Sequence, residues 1–162
     1  MRHGKAEHGS GQPDHERPLA RRGVGQAELV GEYLAAQNVQ VSRVLVSDAV
    51  RTAQTWQAVA SQMPGFEGQV TLHEEIYSGG RTELLALLRA VPPEHPVVMV
   101  VGHEPTMAAL TSLLADDDSD SGSIAQARIG LPTGAMAVLS GSLADWSALD
   151  EDSLRLHTIV RP

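Results

Sequence analysis

The sequence VVMVVGHEP, residues 97–105, predicts the fold of the chain. It contains the most apolar run, residues 97–101, and a continuous apolar run is typical of a strand that is buried on both faces of a parallel sheet. The strand ends at Gly102 and His103. Open α/β folds bind ligands at the carboxyl ends of their strands, so we expect the ring of His103 at a ligand-binding edge of a central parallel strand.

A second histidine beside a glycine opens the chain, in Arg2-His3-Gly4. If this segment reaches the same edge of the sheet as His103, two imidazole rings and one guanidinium converge on a single point. Arginine and protonated histidine are common partners of oxyanions in proteins. The two segments together therefore predict an anion-binding site.

Apolar residues at helical spacing alternate with short apolar runs along the rest of the chain. Strands that alternate with helices indicate an α/β fold with a mostly parallel central sheet and helices on both faces, closed by two strands that can form an antiparallel edge. The loops are residues 7–23 and the acidic residues 116–123, whose composition is typical of disorder. The predicted helices are 24–37, 50–62, 81–90 and 106–114, and the predicted strands are 43–46, 69–72, 97–101, 135–140 and 154–160.

Length and composition narrow the classes of function. The chain has 162 residues, of which 42% are apolar, and this fits a single domain over residues 1–162. The formal charge of -8 repels nucleic acid and anionic membranes, so a small anionic group is the expected ligand. The lack of cysteine excludes disulfides, thiolate metal sites and cysteine nucleophiles. No apolar run approaches the roughly 20 residues of a membrane span, and no apolar signal segment opens the chain, so a cytoplasmic protein is predicted.

Three motifs occur in a fixed order along the chain: Arg-His-Gly at residues 2–4, SDAVRTAQT at 47–55 and VGHEP at 101–105. In this order and spacing they resemble the histidine phosphatase superfamily, and within it the SixA-like branch of phosphohistidine phosphatases. The resemblance implies a phosphoglycerate mutase-like fold of three layers, α/β/α. It also implies an apolar strand directly before Arg-His-Gly. We expect this first strand to be missing or truncated here, and anchoring of the terminus by unusual contacts is the alternative.

The resemblance implies a role in phosphoryl transfer for residues of each motif. His3 is the expected nucleophile, because a neutral imidazole can attack phosphorus and form a phosphohistidine that water then hydrolyses. Arg2 and Arg51 are expected to bind the phosphoryl oxygens, since guanidinium forks suit oxyanions. His103 is expected to contact the phosphoryl group with its own ring protonated.

A fourth segment, DHERPL at residues 14–19, resembles the family's Asp-x-x-Arg-Pro-Leu, which lies near the active site. Each of these residues also has an alternative interpretation when it is taken alone. Residues 2–3 could be a frayed and solvated terminus, and Arg17 and Arg51 could be solvated surface charges. His103 could cap the strand. The predicted phosphate-binding set is Arg2, Gly4, Arg17, Arg51 and His103.

The expected general acid is a carboxylic acid that protonates the leaving oxygen. The resemblance implies Glu75 for this role, with Glu74 as the weaker candidate, and the alternative is that both are solvated charges before a turn. A phosphohistidine loses an imidazole that is already protonated, so such a substrate depends less on an acid. Glu104 departs from the asparagine of the family's Gly-His-Asn-Pro and adds negative charge beside the site.

The predicted function is a metal-independent phosphatase that acts on phosphohistidine in a protein and uses no cofactor. The first alternative keeps this mechanism with a small phosphate ester as substrate, and the second is a non-catalytic phosphate-binding module. The partner is accordingly a phosphorylated protein or a small phosphorylated molecule. A mutase is disfavoured because no segment suggests a lid. No metal site is predicted, since Ala127 stands where a calcium loop that starts at Asp116 needs a bidentate carboxylate.

Overall fold

Helices and strands alternate along the chain, as the periodicity predicts. The computed structural model describes residues 1–9 and 11–162. The strands are β1 (Arg43–Ser47), β2 (Gln69–His73), β3 (Val98–Val101), β4 (Met136–Ser140) and β5 (Arg155–Val160). The helices are α1 (Arg21–Ala36), α2 (Val50–Ser61), α3 (Glu75–Ser78), α4 (Arg81–Arg89), α5 (Thr106–Leu114) and α6 (Ser121–Ile129).

The strands form a parallel sheet and an antiparallel pair. The parallel sheet has the order β2-β1-β3, with Leu45 of β1 opposite Thr71 on one side and Val100 on the other. Strands β4 and β5 pair antiparallel, with a register shift after Val138. The parallel pairing of residues 97–101 and the antiparallel final strands are therefore confirmed. The prediction that residues 97–101 are the central strand is wrong, since β1 is the middle strand of the parallel sheet.

Helices cover both faces of the sheet. Successive side chains of a strand point to opposite faces, so each strand contributes to the hydrophobic clusters on both sides. On β1, Val44 and Val46 pack into a cluster with α1 and α2, while Leu45 packs into a second cluster with α4 and α5. Strand β3 divides in the same way, with Met99 on the first side and Val100 on the second. The arrangement is the predicted three-layer α/β/α fold.

Residues 1–3 lie between the two groups of strands. Arg2 forms a parallel bridge with Gly102, and its amide donates to the carbonyl oxygen of Ala135 at 2.9 Å. The ammonium group of Met1 donates to the carbonyl oxygen of Val100 at 2.7 Å, and burial lowers its pKa to about 5. The terminus is therefore buried and held from both sides, so the frayed alternative for residues 2–3 is wrong.

The acidic segment 116–123 departs from the prediction of a disordered loop. Helix α6 begins at Ser121, because the carboxylate of Asp120 accepts a hydrogen bond from the Ser123 amide at 2.8 Å and so caps the helix. Ala127 on this helix is buried in the core. In the loop predicted over 7–23, a turn of 3-10 helix spans Asp14–Glu16 and α1 begins at Arg21. Position 10 lies outside the described residues.

Candidate active site

His3 is the centre of the candidate site, at the edge of the sheet where β1 and β3 end. The residue is only 9% exposed, and its amide donates to the carbonyl oxygen of Gly102 at 3.0 Å. The ring Nδ1 lies 2.7 Å from the carbonyl oxygen of Gly4, so Nδ1 carries the proton and donates it. The other ring nitrogen, Nε2, keeps its lone pair. This is the tautomer that a nucleophilic imidazole needs.

Arg51 lies against the free nitrogen of His3. It is the second residue of α2 and is 5% exposed, so the alternative of a solvated helix-surface charge is wrong. Its Nε donates to Nε2 of His3 at 3.3 Å. Its two terminal nitrogens donate to Asp14, Nη1 to the carbonyl oxygen at 2.6 Å and Nη2 to the carboxylate at 2.9 Å. A phosphoryl group bonded to Nε2 of His3 would therefore be in contact with the guanidinium of Arg51.

His103 completes the predicted convergence. Its ring centroid lies 5.2 Å from that of His3, and the two planes are tilted by 57°. Nη2 of Arg51 lies 3.4 Å from Nδ1 of His103, and Nε2 of His103 lies 2.8 Å from the hydroxyl of Ser47, the last residue of β1. The structure thus brings the two imidazoles together, as predicted. The guanidinium that contacts both rings is that of Arg51, whereas the motif positions predicted that of Arg2, which donates to Leu131.

The electrostatics of the site keep both histidines neutral near pH 7. Burial lowers the pKa of His3 to about 4, and the positive charges of Arg51, Arg2 and Arg17 add to this effect against the Gly4 hydrogen bond. Burial, followed by Arg51 and His3, lowers the pKa of His103 to about 3. A neutral His3 suits a nucleophile. The expected protonation of His103 requires a bound anion that raises its pKa.

The remaining predicted phosphate ligands lie around this centre. Arg2 donates through Nη1 to the carbonyl oxygen of Leu131 at 2.7 Å, while its buried Nε has no partner among the described residues. The amide of Gly4 donates to the hydroxyl of Thr55 at 3.1 Å. A Cβ at Gly4 would lie 2.5 Å from the carbonyl oxygen of Gly23, so only glycine permits this close approach to α1.

Arg17 reaches the site through Asp14. Its Nε and Nη2 each lie 2.8 Å from the same carboxylate oxygen of Asp14, and its Nη1 donates to the carbonyl oxygen of Glu7. The positive charge of Arg17 helps to lower the pKa of His3. Direct contact of Arg17 with a phosphoryl group stays a prediction.

Glu75 does not join the cluster. Its side chain is 59% exposed and its nearest ionic partner is His73, at 3.9 Å. Within residues 1–9 and 11–162, no hydrogen bond or ion pair connects it to His3, Arg51 or His103. Glu74 is also exposed. The role of either residue as general acid stays a prediction without a contact to support it.

Asp14 and Tyr77 are site residues that the motifs did not predict. One carboxylate oxygen of Asp14 accepts from Arg51 and from the hydroxyl of Tyr77 at 3.2 Å. Burial opposes ionisation of Asp14, but Arg51, Tyr77 and Arg17 outweigh it and lower the pKa. The Tyr77 ring lies 5.4 Å from the ring of His103. The only available signal was the DHERPL match, whose first residue is Asp14; Tyr77 had none.

Glu104 lies near Arg2, whose positive charge acts on its carboxyl group. Its Oε1 is buried and has no hydrogen-bond partner among the described residues. Burial raises the pKa of Glu104, although Arg2 and the backbone amides of Leu131 and Ala108 act in the opposite direction.

The potential metal-ligating side chains of the described residues do not form a cluster. No group of three or more histidine, aspartate or glutamate side chains in residues 1–9 and 11–162 could hold a metal ion. Over the same residues, no helix is both long and apolar enough to cross a bilayer.

Comparisons with known proteins agree with the motifs. A profile described as "Histidine phosphatase superfamily (branch 1)" matches residues 1–78. The phosphohistidine phosphatase SixA of Escherichia coli is 30% identical over 120 residues, which cover 74% of each chain. A solved structure assigned to SixA of Nakamurella multipartitia is 34% identical, with a TM-score of 0.86 over 100% of this chain and 93% of that one. A protein histidine phosphatase SixA complexed with tungstate is 25% identical, with a TM-score of 0.80 over 100% of this chain and 94% of that one.

Proposed function

The chain belongs to the histidine phosphatase superfamily, on its SixA-like branch, and we propose that it removes the phosphoryl group from phosphohistidine in a protein. One observation carries the proposal. Nε2 of His3 is unprotonated, and the one hydrogen bond that it accepts comes at 3.3 Å from the guanidinium of a buried arginine, Arg51, which a phosphoryl group can take over. The tungstate bound by a similar SixA supports an oxyanion as the ligand of such a site.

In the first step, the lone pair on Nε2 of His3 attacks phosphorus as the bond from phosphorus to the leaving nitrogen breaks. The three equatorial oxygens carry the charge, and in this proposal Arg51, Arg2 and His103 stabilise it. The new bond makes the His3 ring cationic. Its Nδ1 proton, held by the carbonyl oxygen of Gly4 at 2.7 Å, disperses that positive charge.

In the second step, water attacks the phosphorus of the intermediate and the bond from phosphorus to Nε2 breaks. The bond electrons return to Nε2, so His3 is again neutral and the product is inorganic phosphate. The proton lost by water leaves with the phosphate or passes to solvent. The nucleophile and the charge-stabilising groups of this route are side chains of the chain, and we propose that water completes it without a metal ion.

The leaving group favours phosphohistidine over a phosphate ester. An imidazole that leaves with a proton on its other nitrogen is neutral, whereas an alkoxide must receive a proton as it leaves. The exposed Glu75, which pairs with His73, supplies no acid in contact with His3. A substrate that needs no proton donor matches this arrangement best.

Rapid-quench trapping tests the proposal. The chain is mixed with a phosphotransfer domain carrying labelled phosphohistidine, and acid-labile, alkali-stable label is mapped on the chain. We expect the label on His3 and none in His3→Ala. The matched control is His157→Ala, an exposed histidine on β5, which should keep the label. Label that persists in a folded His3→Ala would contradict the mechanism, and faster turnover of a sugar phosphate would contradict the substrate.

A further inference from the structure

His15 and Asp48 form a contact that the proposed steps do not use. Nε2 of His15 lies 3.0 Å from Oδ1 of Asp48, and the two side chains are 38% and 31% exposed. Oδ1 of Asp48 is itself buried, and it accepts no hydrogen bond of normal geometry among residues 1–9 and 11–162. A lone pair on Nε2 of His15 would face this negative oxygen, so the neutral ring carries its proton on Nε2 and keeps Nδ1 as a base.

Asp48 and Tyr77 connect this contact to His103. Asp48 follows Ser47 at the end of β1, and the hydroxyl of Ser47 lies 2.8 Å from Nε2 of His103. Burial lowers the pKa of His103, and the negative charge of Asp48 is one of the groups that oppose this shift. The ring centroid of Tyr77 lies 4.8 Å from that of His15 and 5.4 Å from that of His103. His15 is therefore at the rim of the candidate site.

Arg51 gives the direction from His3 to His15. Its Nε lies 3.3 Å from Nε2 of His3, whereas its two terminal nitrogens contact Asp14. Asp14 directly precedes His15 in the same turn of 3-10 helix. A phosphoryl group on His3 that takes over the guanidinium of Arg51 therefore extends from Nε2 towards the turn that carries His15.

The second step of the proposed reaction lacks a proton acceptor. The attacking water must lose a proton, and His3 cannot take it while its Nε2 is bonded to phosphorus and its Nδ1 proton is held by Gly4. Glu75 is exposed, and its ionic partner is His73 at 3.9 Å. A neutral imidazole that is partly open to solvent can accept a proton near pH 7 and return it to bulk water afterwards.

We propose that Nδ1 of His15 accepts a proton from the water that hydrolyses the phosphohistidine on His3, and that Asp48 is the positioning residue of His15. The oxygen of water forms its bond to phosphorus as the bond from phosphorus to Nε2 breaks, and the bond electrons return to Nε2. One proton of the water passes to Nδ1 of His15. The resulting imidazolium is stabilised by the carboxylate 3.0 Å away until solvent removes the proton. This inference rests on the proposed function, because it requires the covalent intermediate.

Single-turnover rapid quench on the full 162-residue chain separates the two steps. The probe is a phosphotransfer domain with labelled phosphohistidine, mixed with an excess of the chain. In His15→Gln we expect label to appear on His3 at the wild-type rate, because the leaving imidazole needs no proton donor. We expect it to disappear about 10²-fold more slowly, since a general base typically contributes this much. The control His157→Gln, exposed on β5, should match the wild type in both rates.

Two further measurements distinguish proton transfer from a structural role. Imidazole added to His15→Ala should speed the loss of label from His3 in proportion to its concentration, and it should not affect the wild type. Asp48→Asn removes the charge that stabilises the imidazolium, so it should slow the loss of label. Because Asp48 acts through His15, combining Asp48→Asn with His15→Gln should cause no further slowing. Circular dichroism checks the folding of each variant.

The outcomes separate this inference from the proposed function. Loss of label at the wild-type rate in a folded His15→Gln would overturn the inference and leave the proposed function intact. Slow loss without rescue by imidazole would also overturn it, and would assign the effect to the structure of the turn. Further slowing in the double variant would exclude Asp48 as a residue that acts through His15. No label on His3 in the wild type would overturn both, since there would be no intermediate to hydrolyse.

Discussion

Replacing His3 by glutamine should change how the stability of the protein depends on pH. Burial lowers the pKa of His3 from an ordinary value near 6.5 to about 4, so the folded protein binds a proton on this ring less readily than the unfolded chain. The contribution of the neutral ring to stability is therefore complete above pH 6.5 and is lost as the pH falls towards 4. The loss is about 1.4 kcal/mol per pH unit in that interval.

Between about pH 7.5 and 4.5, His3 alone should cost the wild-type protein about 2.5 kcal/mol of unfolding free energy. The assay is urea unfolding at both values for wild type, His3→Gln and the exposed control His157→Gln. Comparing variants is necessary because other groups titrate over the same range. His3→Gln should lose about 2.5 kcal/mol less than wild type on acidification, and His157→Gln should behave as wild type. Equal losses in wild type and His3→Gln would refute a buried, neutral His3.

Further predictions concern the groups around His3. Arg51→Lys replaces a fork with a single ammonium and should lower kcat/KM for the phosphohistidine protein by about 10²-fold, measured as phosphate release, with circular dichroism to check folding; a change within a factor of about two would exclude Arg51 from the transition state. Asp14→Asn removes the carboxylate that holds Arg51, so tungstate should inhibit at lower concentration in steady-state assays, and an unchanged inhibition constant would contradict competition. Glu75→Gln should leave phosphohistidine hydrolysis nearly unchanged, whereas a loss of about 10²-fold would identify Glu75 as the acid. Gly4→Ala should destabilise the fold by about 1–3 kcal/mol in urea unfolding, because its Cβ would lie 2.5 Å from the carbonyl oxygen of Gly23.

The sequence predicted those helices and strands whose pattern of apolar residues can be recognised within one short segment of the chain. The run of residues 97–101 is apolar without interruption because both faces of β3 are covered, and period and burial agree there. The helices that follow β1 and β3 were predicted because apolar residues at helical spacing are also a local signal. Helix α6 was missed because its polar start, Asp120 and Ser121, has the composition of a loop, and only the capping hydrogen bond and the buried Ala127 distinguish it.

The candidate site was predictable where residues follow strands, and not where loops meet. His3 and His103 could be placed together because each stands beside a glycine at the end of an extended segment. The contact between Asp14 and Tyr77 joins residues 63 positions apart, from a loop and a short helix, and no periodicity connects them. Glu75 lay in the expected region of sequence, but the turn of α3 directs Tyr77 towards the histidines and leaves Glu75 beside His73.

The carboxylate of Asp14 on Arg51 has a consequence for turnover. A tethered anion is present at high effective concentration, so any free anion that binds Arg51 must compete with it. A weakly held anion such as chloride loses this competition, whereas in the proposed mechanism a phosphoryl group bonded to His3 has the advantage of its own tether. Once water has released the phosphate, that advantage is gone and the carboxylate can reclaim the guanidinium. Asp14 would then compete with the product phosphate for Arg51 and promote its release. This competition would protect the enzyme against inhibition by its own product.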